Sequence, residues 1–283
     1  MPSGVVFSIE EFSLYDGPGV RTTVFFKGCP MRCTWCHSPE GQSPAPEPIR
    51  SPNGCIGCNA CLARGMELTG EYRIVAESAE VCPRRLIREA GEIMQAEALV
   101  EKLLKNGDVF ASTGGGVTFS GGEPTAQPEF LLACLRLLRN KAHRALQTCG
   151  YCDPSIFLAV LSECDYVLYD LKLMDSETHQ RFCGRDNAVI LENYRCLAAS
   201  GVPFITRIPV IPTVNDTVEN MEATARLMNE VGAKRLELLP YHKLSGAKYA
   251  MTGRVYTPNF DETVAPQMRT ELFESYGIEV NIL

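Results

Sequence analysis

The sequence predicts an α/β protein built on a mostly parallel sheet, because short apolar runs alternate with helix-like segments over most of its length. Three observations carry this. From residue 20 onward the runs VRTTVFF, GVTFSG, RALQT, YVLYDL, PFITRIPV and RLELLP are strand-length and rich in β-branched and aromatic residues. Segments near 126–140, 154–162, 187–200 and 216–231 between them have helical length and spacing. A chain of 283 residues, 45% hydrophobic, is long enough for one good-sized core. The count is about six βα units, short of the eight of a closed TIM barrel. Pattern alone leaves an open partial barrel and a doubly wound sheet as alternatives.

Composition removes several function classes. A formal net charge of -7 leaves no basic stripe to neutralise phosphates, so no nucleic-acid partner is expected. The longest apolar runs, such as FLLACLRLL, fall short of a membrane span, and the first residues lack a charged-then-apolar leader. The expectation is a cytoplasmic protein with no membrane partner. Thirteen cysteines, an odd number in a chain too large to need staples, point to metal ligation and reactive thiols rather than to disulfides.

Taken in order, the first strand VRTTVFF ends at Gly28 and opens into GCPMRCTWCHSPEG, which sets Cys29, Cys33 and Cys36 in the spacing C-x3-C-x2-C. Loops at the C-terminal ends of strands are where α/β proteins keep their chemistry. Closed structural sites normally take four ligands, so three close thiolates either borrow a distant one or leave a metal position open. The spacing lets one loop wrap an iron–sulfur cubane; a structural zinc site completed by His37 is the bland alternative.

Residues 42–90 read as an insert, with 1–41 and 91–283 forming the barrel. SPAPEPIRSPNG is a proline-rich lead-in without periodicity and is expected to be a linker. CIGCNAC then places Cys55, Cys58 and Cys61, and Cys82 follows, with proline after it as in bacterial ferredoxins. Gly65 stands where a fourth closely spaced cysteine would be, so these residues make one four-cysteine site rather than two. Iron–sulfur is favoured there over structural zinc.

The strand GVTFSG runs into TFSGGEP, where Gly121 and Gly122 allow close backbone approach to a ligand and Glu123 adds an anion beside a cationic amine. The neighbouring TGGGV lacks the Lys-Ser/Thr ending of a phosphate loop. RALQT leads into LQTCGY, whose Cys149 and Cys152 form a C-x2-C without thioredoxin context, read as structural. Cys134, Cys164, Cys183 and Cys196 have no partner spacing and are read as packing residues.

C-x3-C-x2-C after a strand, with Trp35 before the last cysteine, resembles the signature of the radical S-adenosylmethionine (SAM) superfamily. YDGPGVR (15–21), YDLKLMD (169–175), TRIPVIPTVND (206–216) and LLPYHKL (238–244) narrow the resemblance to glycyl radical enzyme activating enzymes of the pyruvate formate-lyase activating enzyme type. The match runs in order over nearly the whole chain. It implies a partial (β/α)6 radical SAM barrel with a small ferredoxin-like iron–sulfur insert. It also implies a [4Fe–4S] cluster on Cys29, Cys33 and Cys36 whose unligated iron holds SAM, so that the gap in the ligand set is functional. Reductive cleavage of SAM then gives a 5'-deoxyadenosyl radical that abstracts hydrogen from a backbone glycine of a partner glycyl radical enzyme.

By position, the resemblance implies SAM-binding roles for Trp35, Gly121, Gly122, Glu123, Thr148, Asp170, Lys172, Arg207 and His242. It makes Asp16, which meets the partner's glycine loop, and Lys172 the candidate catalytic residues. Gln147 departs from relatives with an acid there, which puts a cation site beside the SAM carboxylate in doubt. Relatives often carry two clusters in the insert, whereas Cys55, Cys58, Cys61 and Cys82 suffice for one auxiliary [4Fe–4S] cluster. An electron donor such as flavodoxin or ferredoxin and an anaerobic setting complete the implied picture. Two alternatives stand beside it: another radical SAM enzyme acting on a small molecule, and a non-catalytic ferredoxin-like electron carrier. A sulfatase-maturing enzyme would be expected to carry a cysteine-rich C-terminal extension, and no cysteine follows Cys196.

Overall fold

A computed structural model describes residues 2–51 and 53–283. The chain opens with β1 (Ser3–Ser13) and β2 (Arg21–Phe26), then passes through a second small sheet, β3 (Glu47–Arg50) with β4 (Ile87–Ala90), enclosing helices α1 (Ala60–Thr69) and α2 (Ser78–Val81). It returns through β5 (Glu92–Gln95), α3 (Ala96–Leu103) and α4 (Gly107–Thr113). The alternating part follows: β6 (Gly116–Gly121), α5 (Pro128–Leu138), β7 (His143–Thr148), α6 (Pro154–Leu161), β8 (Tyr166–Asp170), α7 (Ser176–Cys183), α8 (Ala188–Ser200), β9 (Phe204–Val210), α9 (Val218–Glu230) and β10 (Arg235–Pro240). Helices α10 (Ser245–Met251) and α11 (Thr270–Ser275) and strand β11 (Glu279–Ile282) end it.

The main sheet has nine strands in the order β11-β10-β9-β8-β7-β6-β2-β1-β5. From β2 to β11 every pairing is parallel, while β1 pairs antiparallel with both β2 and β5. The order ends at β5 on one side and β11 on the other, so the curved sheet stays open, as a partial barrel does. Each of the six strands expected from sequence is present.

The central strands are largely buried and read as mostly apolar runs, interrupted by polar residues such as Arg144 and Gln147 in β7 and Arg207 in β9. β7 and β8 carry Leu146, Val167 and Tyr169 into the main core, while Ala145, Tyr166, Leu168 and Ile205 form a smaller cluster on the opposite face. Helix starts follow from local chemistry. Asp153, Asp175 and Thr217 each accept a backbone N–H at the head of α6, α7 and α9, which satisfies otherwise orphaned donors.

Several elements differ from the sequence reading. β1 and β11 were not expected, because edge and antiparallel strands carry charges among their apolar positions; β1 includes Glu10 and Glu11, and β11 includes Glu279 and Asn281. Part of the stretch read as a linker is β3. Its Ile49 is fully buried and Pro48 is tolerated because a two-stranded sheet has only edges. Among the described residues no helix is long and apolar enough to cross a membrane.

Candidate active site

The C-terminal ends of the parallel strands surround a cavity of about 550 Å3, within the size range of small-molecule sites. β2 delivers the thiol loop. Gly28 N–H donates to Gly41 O at 2.8 Å and Cys29 N–H to Gln42 O at 3.2 Å, closing the loop at its base. On the far side, Arg32 N–H donates to Cys183 O at 2.8 Å and Thr34 N–H to Phe182 O at 2.9 Å, so the end of α7 clamps it. Cys29, Cys33, Trp35 and Cys36 all line the cavity.

Burial pushes the Cys29 thiol up, with Cys33 adding to it. Contact with the Cys183 thiol and then burial push Cys33 up, and burial and Cys33 raise Cys36 to about 11. Three neutral thiols, Cys33 buried and Cys29 and Cys36 half-buried, keep their protons until a metal displaces them, which fits a cluster seat rather than three free thiolates. Cys36 Sγ also accepts Ser38 N–H at 3.4 Å, a typical support for a cluster sulfur. Among the described residues no group of three or more His, Cys, Asp or Glu side chains is drawn together around a single ion.

β6 ends at Gly121, whose φ of 131° favours glycine. A Cβ there would lie 2.2 Å from Phe26 O, and one on Gly122 would lie 2.5 Å from Gly41 O. Only glycine lets this turn pass between the ends of β2 and the thiol loop. Glu123 follows, 1% exposed. Its Oε1 accepts Thr125 N–H at 3.1 Å, Thr125 Oγ1–H at 2.8 Å and Thr148 Oγ1–H at 2.7 Å, while Oε2 accepts Cys149 N–H at 2.8 Å. Three donors thus crowd Oε1 and one reaches Oε2, which keeps an acceptor position free. Gln147 accepts from Ser120 Oγ at 3.0 Å on the cavity wall.

β8 supplies Asp170 and, just beyond it, Lys172, with Nζ 3.4 Å from Asp170 Oδ2. Burial works against the Lys172 charge, but the neighbouring Asp170 carboxylate outweighs it and the pKa rises, so the ammonium persists. On β9, Arg207 is 2% exposed and fully engaged. Its Nε donates to Glu237 Oε2 at 2.6 Å, its Nη2 donates to Tyr15 O, and its Nη1 lies 3.9 Å from Asp16 Oδ1. Thr23 Oγ1–H donates to Asp16 Oδ2 at 2.7 Å and Thr118 Oγ1–H to Asp16 O at 2.6 Å, so the turn carrying Asp16 is held from two sides. At the end of β10 the His242 ring stands edge-on to His37, with centroids 4.1 Å apart. Burial lowers the His37 pKa to about 4, helped by His242 and Lys248.

Every candidate residue of the barrel thus faces this one cavity: Asp16, the three thiols, Trp35, the Gly121–Glu123 turn, Thr148, Asp170, Lys172, Arg207 and His242. Sequence reasoning missed Glu237, although an acid inside the apolar run RLELLP was a visible signal; in register it sits opposite Arg207. It also underrated Cys149, which lines the cavity while Cys152 does not.

The second set is gathered elsewhere. Cys55, Cys58, Cys61 and Cys82 edge one small cavity beneath α1, with Cys55 and Cys58 exposed and Cys61 buried. Cys82 Sγ accepts Leu86 N–H at 3.3 Å and Cys61 Sγ accepts from Arg50 at 3.4 Å, so two of the four sulfurs already have donors suited to thiolates.

Residues 23–228 match the family model of the Radical SAM superfamily. The isethionate sulfite-lyase activating enzyme of Nitratidesulfovibrio vulgaris is 36% identical over 272 residues, covering 89% of this chain and 88% of that protein. The pyruvate formate-lyase 2-activating enzyme of Escherichia coli is 34% identical over 284 residues, covering 98% and 91%. A solved domain of a pyruvate-formate lyase-activating enzyme from Bacteroides vulgatus superposes with a TM-score of 0.50 at 32% identity, covering 60% of this chain and 99% of that one. The chain belongs to the radical SAM superfamily and, within it, to the activating enzymes of glycyl radical enzymes.

Proposed function

We propose that this chain activates a partner glycyl radical enzyme through a backbone glycine of that partner, with Cys29, Cys33 and Cys36 seating the cluster that meets SAM. The observation that carries the reading is the convergence of the three thiols, the Gly121–Glu123 turn, Lys172 and Asp16 on one cavity at the strand ends. When bound, the [4Fe–4S] cluster and SAM supply one-electron cleavage of the sulfonium and the hydrogen abstraction that follows.

The chain's own residues orient and shield. Gly121 and Gly122 offer backbone to the amino-acid end of SAM, and Lys172, held charged by Asp170, faces its carboxylate. Thr148 and His242 complete the ligand shell. Trp35 and Ile211, both buried, exclude water from the reacting end. Arg207, tied to Glu237 and Tyr15, contributes by fixing the turn that carries Asp16. Asp16 receives the glycine loop, as an acceptor for its backbone amides. The four cysteines of the insert hold an auxiliary [4Fe–4S] cluster served by a small electron-transfer protein such as flavodoxin or ferredoxin. A cytoplasmic, oxygen-free setting suits this chemistry.

The test is electron paramagnetic resonance of the reduced protein mixed with SAM and glycyl radical enzymes encoded near its gene. A carbon-centred doublet from a glycine α-hydrogen is expected on the cognate partner. Asp16→Ala is expected to keep SAM cleavage and lose most of that signal. Absence of the doublet with every such partner overturns the reading.

A further inference from the structure

The four-cysteine site carries a charged side chain that its ligand set does not require. Arg50, the last residue of β3, splits its guanidinium between two parts of the molecule. Nη1 donates to Cys61 Sγ at 3.4 Å, and Nη2 donates to Ala250 O at 3.3 Å in α10. Cys61 is the buried member of the set, where an electrostatic contact is screened least. Cys55 and Cys58 are exposed, and Cys82 has only backbone donors.

The segment that Arg50 grips is also fastened to the first thiol loop. Arg254 Nη1 donates to Pro39 O at 3.1 Å and Gln42 Oε1 at 3.2 Å, and Lys248 Nζ lies 3.3 Å from Glu40 Oε1. Residues 245–254 therefore lie between the two thiolate sets, with Arg50 as the contact on the insert side.

We propose that Arg50 is a positioning residue that raises the reduction potential of the cluster held by Cys55, Cys58, Cys61 and Cys82, and fixes that cluster against the 245–254 segment. The proposal rests on the iron–sulfur reading of this site. Four thiolates already place net negative charge on a [4Fe–4S] centre, and a one-electron reduction adds one more. A cation donating to a ligand sulfur stabilises the reduced form more than the oxidised form, so the potential rises. The electron comes from the external donor and no proton is required.

The measurement uses the full chain with Cys29, Cys33 and Cys36 changed to Ser, so that only the second site assembles. After anaerobic reconstitution, iron and sulfide are counted, and a dithionite titration followed by electron paramagnetic resonance gives the midpoint potential. Arg50→Met is expected to lower that potential at unchanged iron content, and Arg50→Lys to lower it less. If Arg50→Met assembles poorly, Arg50→Gln, which keeps a neutral donor, is expected to give an intermediate downward shift. A midpoint unmoved in the variants that retain iron overturns the role of Arg50. A parent protein that takes zinc, or no iron, overturns the cluster reading instead, and the metal count separates the two failures.

Discussion

Glu123 illustrates what a single residue type in a motif does and does not disclose. The GGE turn was legible because paired glycines at a strand end have few other uses, and their contacts with Phe26 O and Gly41 O explain why no side chain fits. The fate of the carboxylate was not legible. Its partners Thr125, Thr148 and Cys149 come from the next turn and from the end of a different strand, which only the fold brings together. With four donors on it, Glu123 locks the end of β6 to the end of β7. Glu123→Ala would leave Thr125 and Cys149 N–H buried without acceptors, at roughly 1–3 kcal/mol each. The expected result is a loss of about 3 kcal/mol in stability, with SAM binding weakened more than tenfold. Thermal unfolding and calorimetric titration of SAM check both, and Glu123→Ala with wild-type stability would remove the scaffold role.

At the scale of elements, the six parallel strands were readable because burial keeps most of their positions apolar or β-branched. The strands β1, β5 and β11 were not. β5 shows why: Glu92 and Gln95 are exposed and polar, so this edge strand does not look hydrophobic, and its pairing is settled by neighbours distant in sequence. A second set of long-range ties joins the helix ends to β7. Glu163, just past α6, lies 3.3 Å from Arg136 Nε, 2.5 Å from Arg139 Nη2 and 3.5 Å from Arg144 Nη1, and Arg144 also grips Asp165 at 2.9 Å. Burial disfavours the Glu163 charge, but the hydrogen bonds from Arg139 and Arg136 outweigh it and its pKa falls below the ordinary 4.5. Asp165 is lowered in the same way, with burial opposed by Arg144. A depressed folded-state pKa contributes stability that is complete above the unfolded value and lost as pH falls through the folded one. Glu163→Gln is therefore expected to cost on the order of 1–2 kcal/mol at pH 7. The difference from wild type should shrink as pH drops below 4.5, the ordinary carboxyl value. Urea unfolding at pH 7 and at pH 3.5–4 measures it, and a pH-independent gap would assign the loss to packing.

For the whole molecule, the small β3–β4 sheet is built onto the large sheet by buried polar ties rather than hung from it. Lys27, fully buried at the end of β2, donates to Glu40 O at 2.6 Å and to Glu47 Oε1 at 3.2 Å, and Arg254 Nη2 reaches the other Glu47 oxygen at 3.0 Å. One carboxylate in β3 thus joins the core strand to the 245–254 segment, and its two partners, Lys27 and Arg254, also reach the far end of the thiol loop. None of this was visible in a stretch that reads as a proline-rich linker, because Glu47 and Arg254 are brought together only by the fold. The first thiol set and Cys55, Cys58 and Cys61, by contrast, were legible from close spacing within one loop, whereas Cys82 reaches the latter three only through the fold. The chemical independence of the two sets can be tested by metal content. Anaerobically reconstituted protein is expected to bind about eight irons per chain, two [4Fe–4S] clusters' worth. Changing Cys29, Cys33 and Cys36 to Ala should remove about half of the iron and all SAM cleavage. Changing Cys55 and Cys58 to Ala should also remove about half, while dithionite-driven SAM cleavage persists and cleavage driven by a protein electron donor falls. If the Cys55 and Cys58 substitutions leave the iron content unchanged, the insert holds no cluster. If they abolish dithionite-driven cleavage while four irons remain, the two sites are coupled through the 245–254 segment more tightly than separate ligand sets imply.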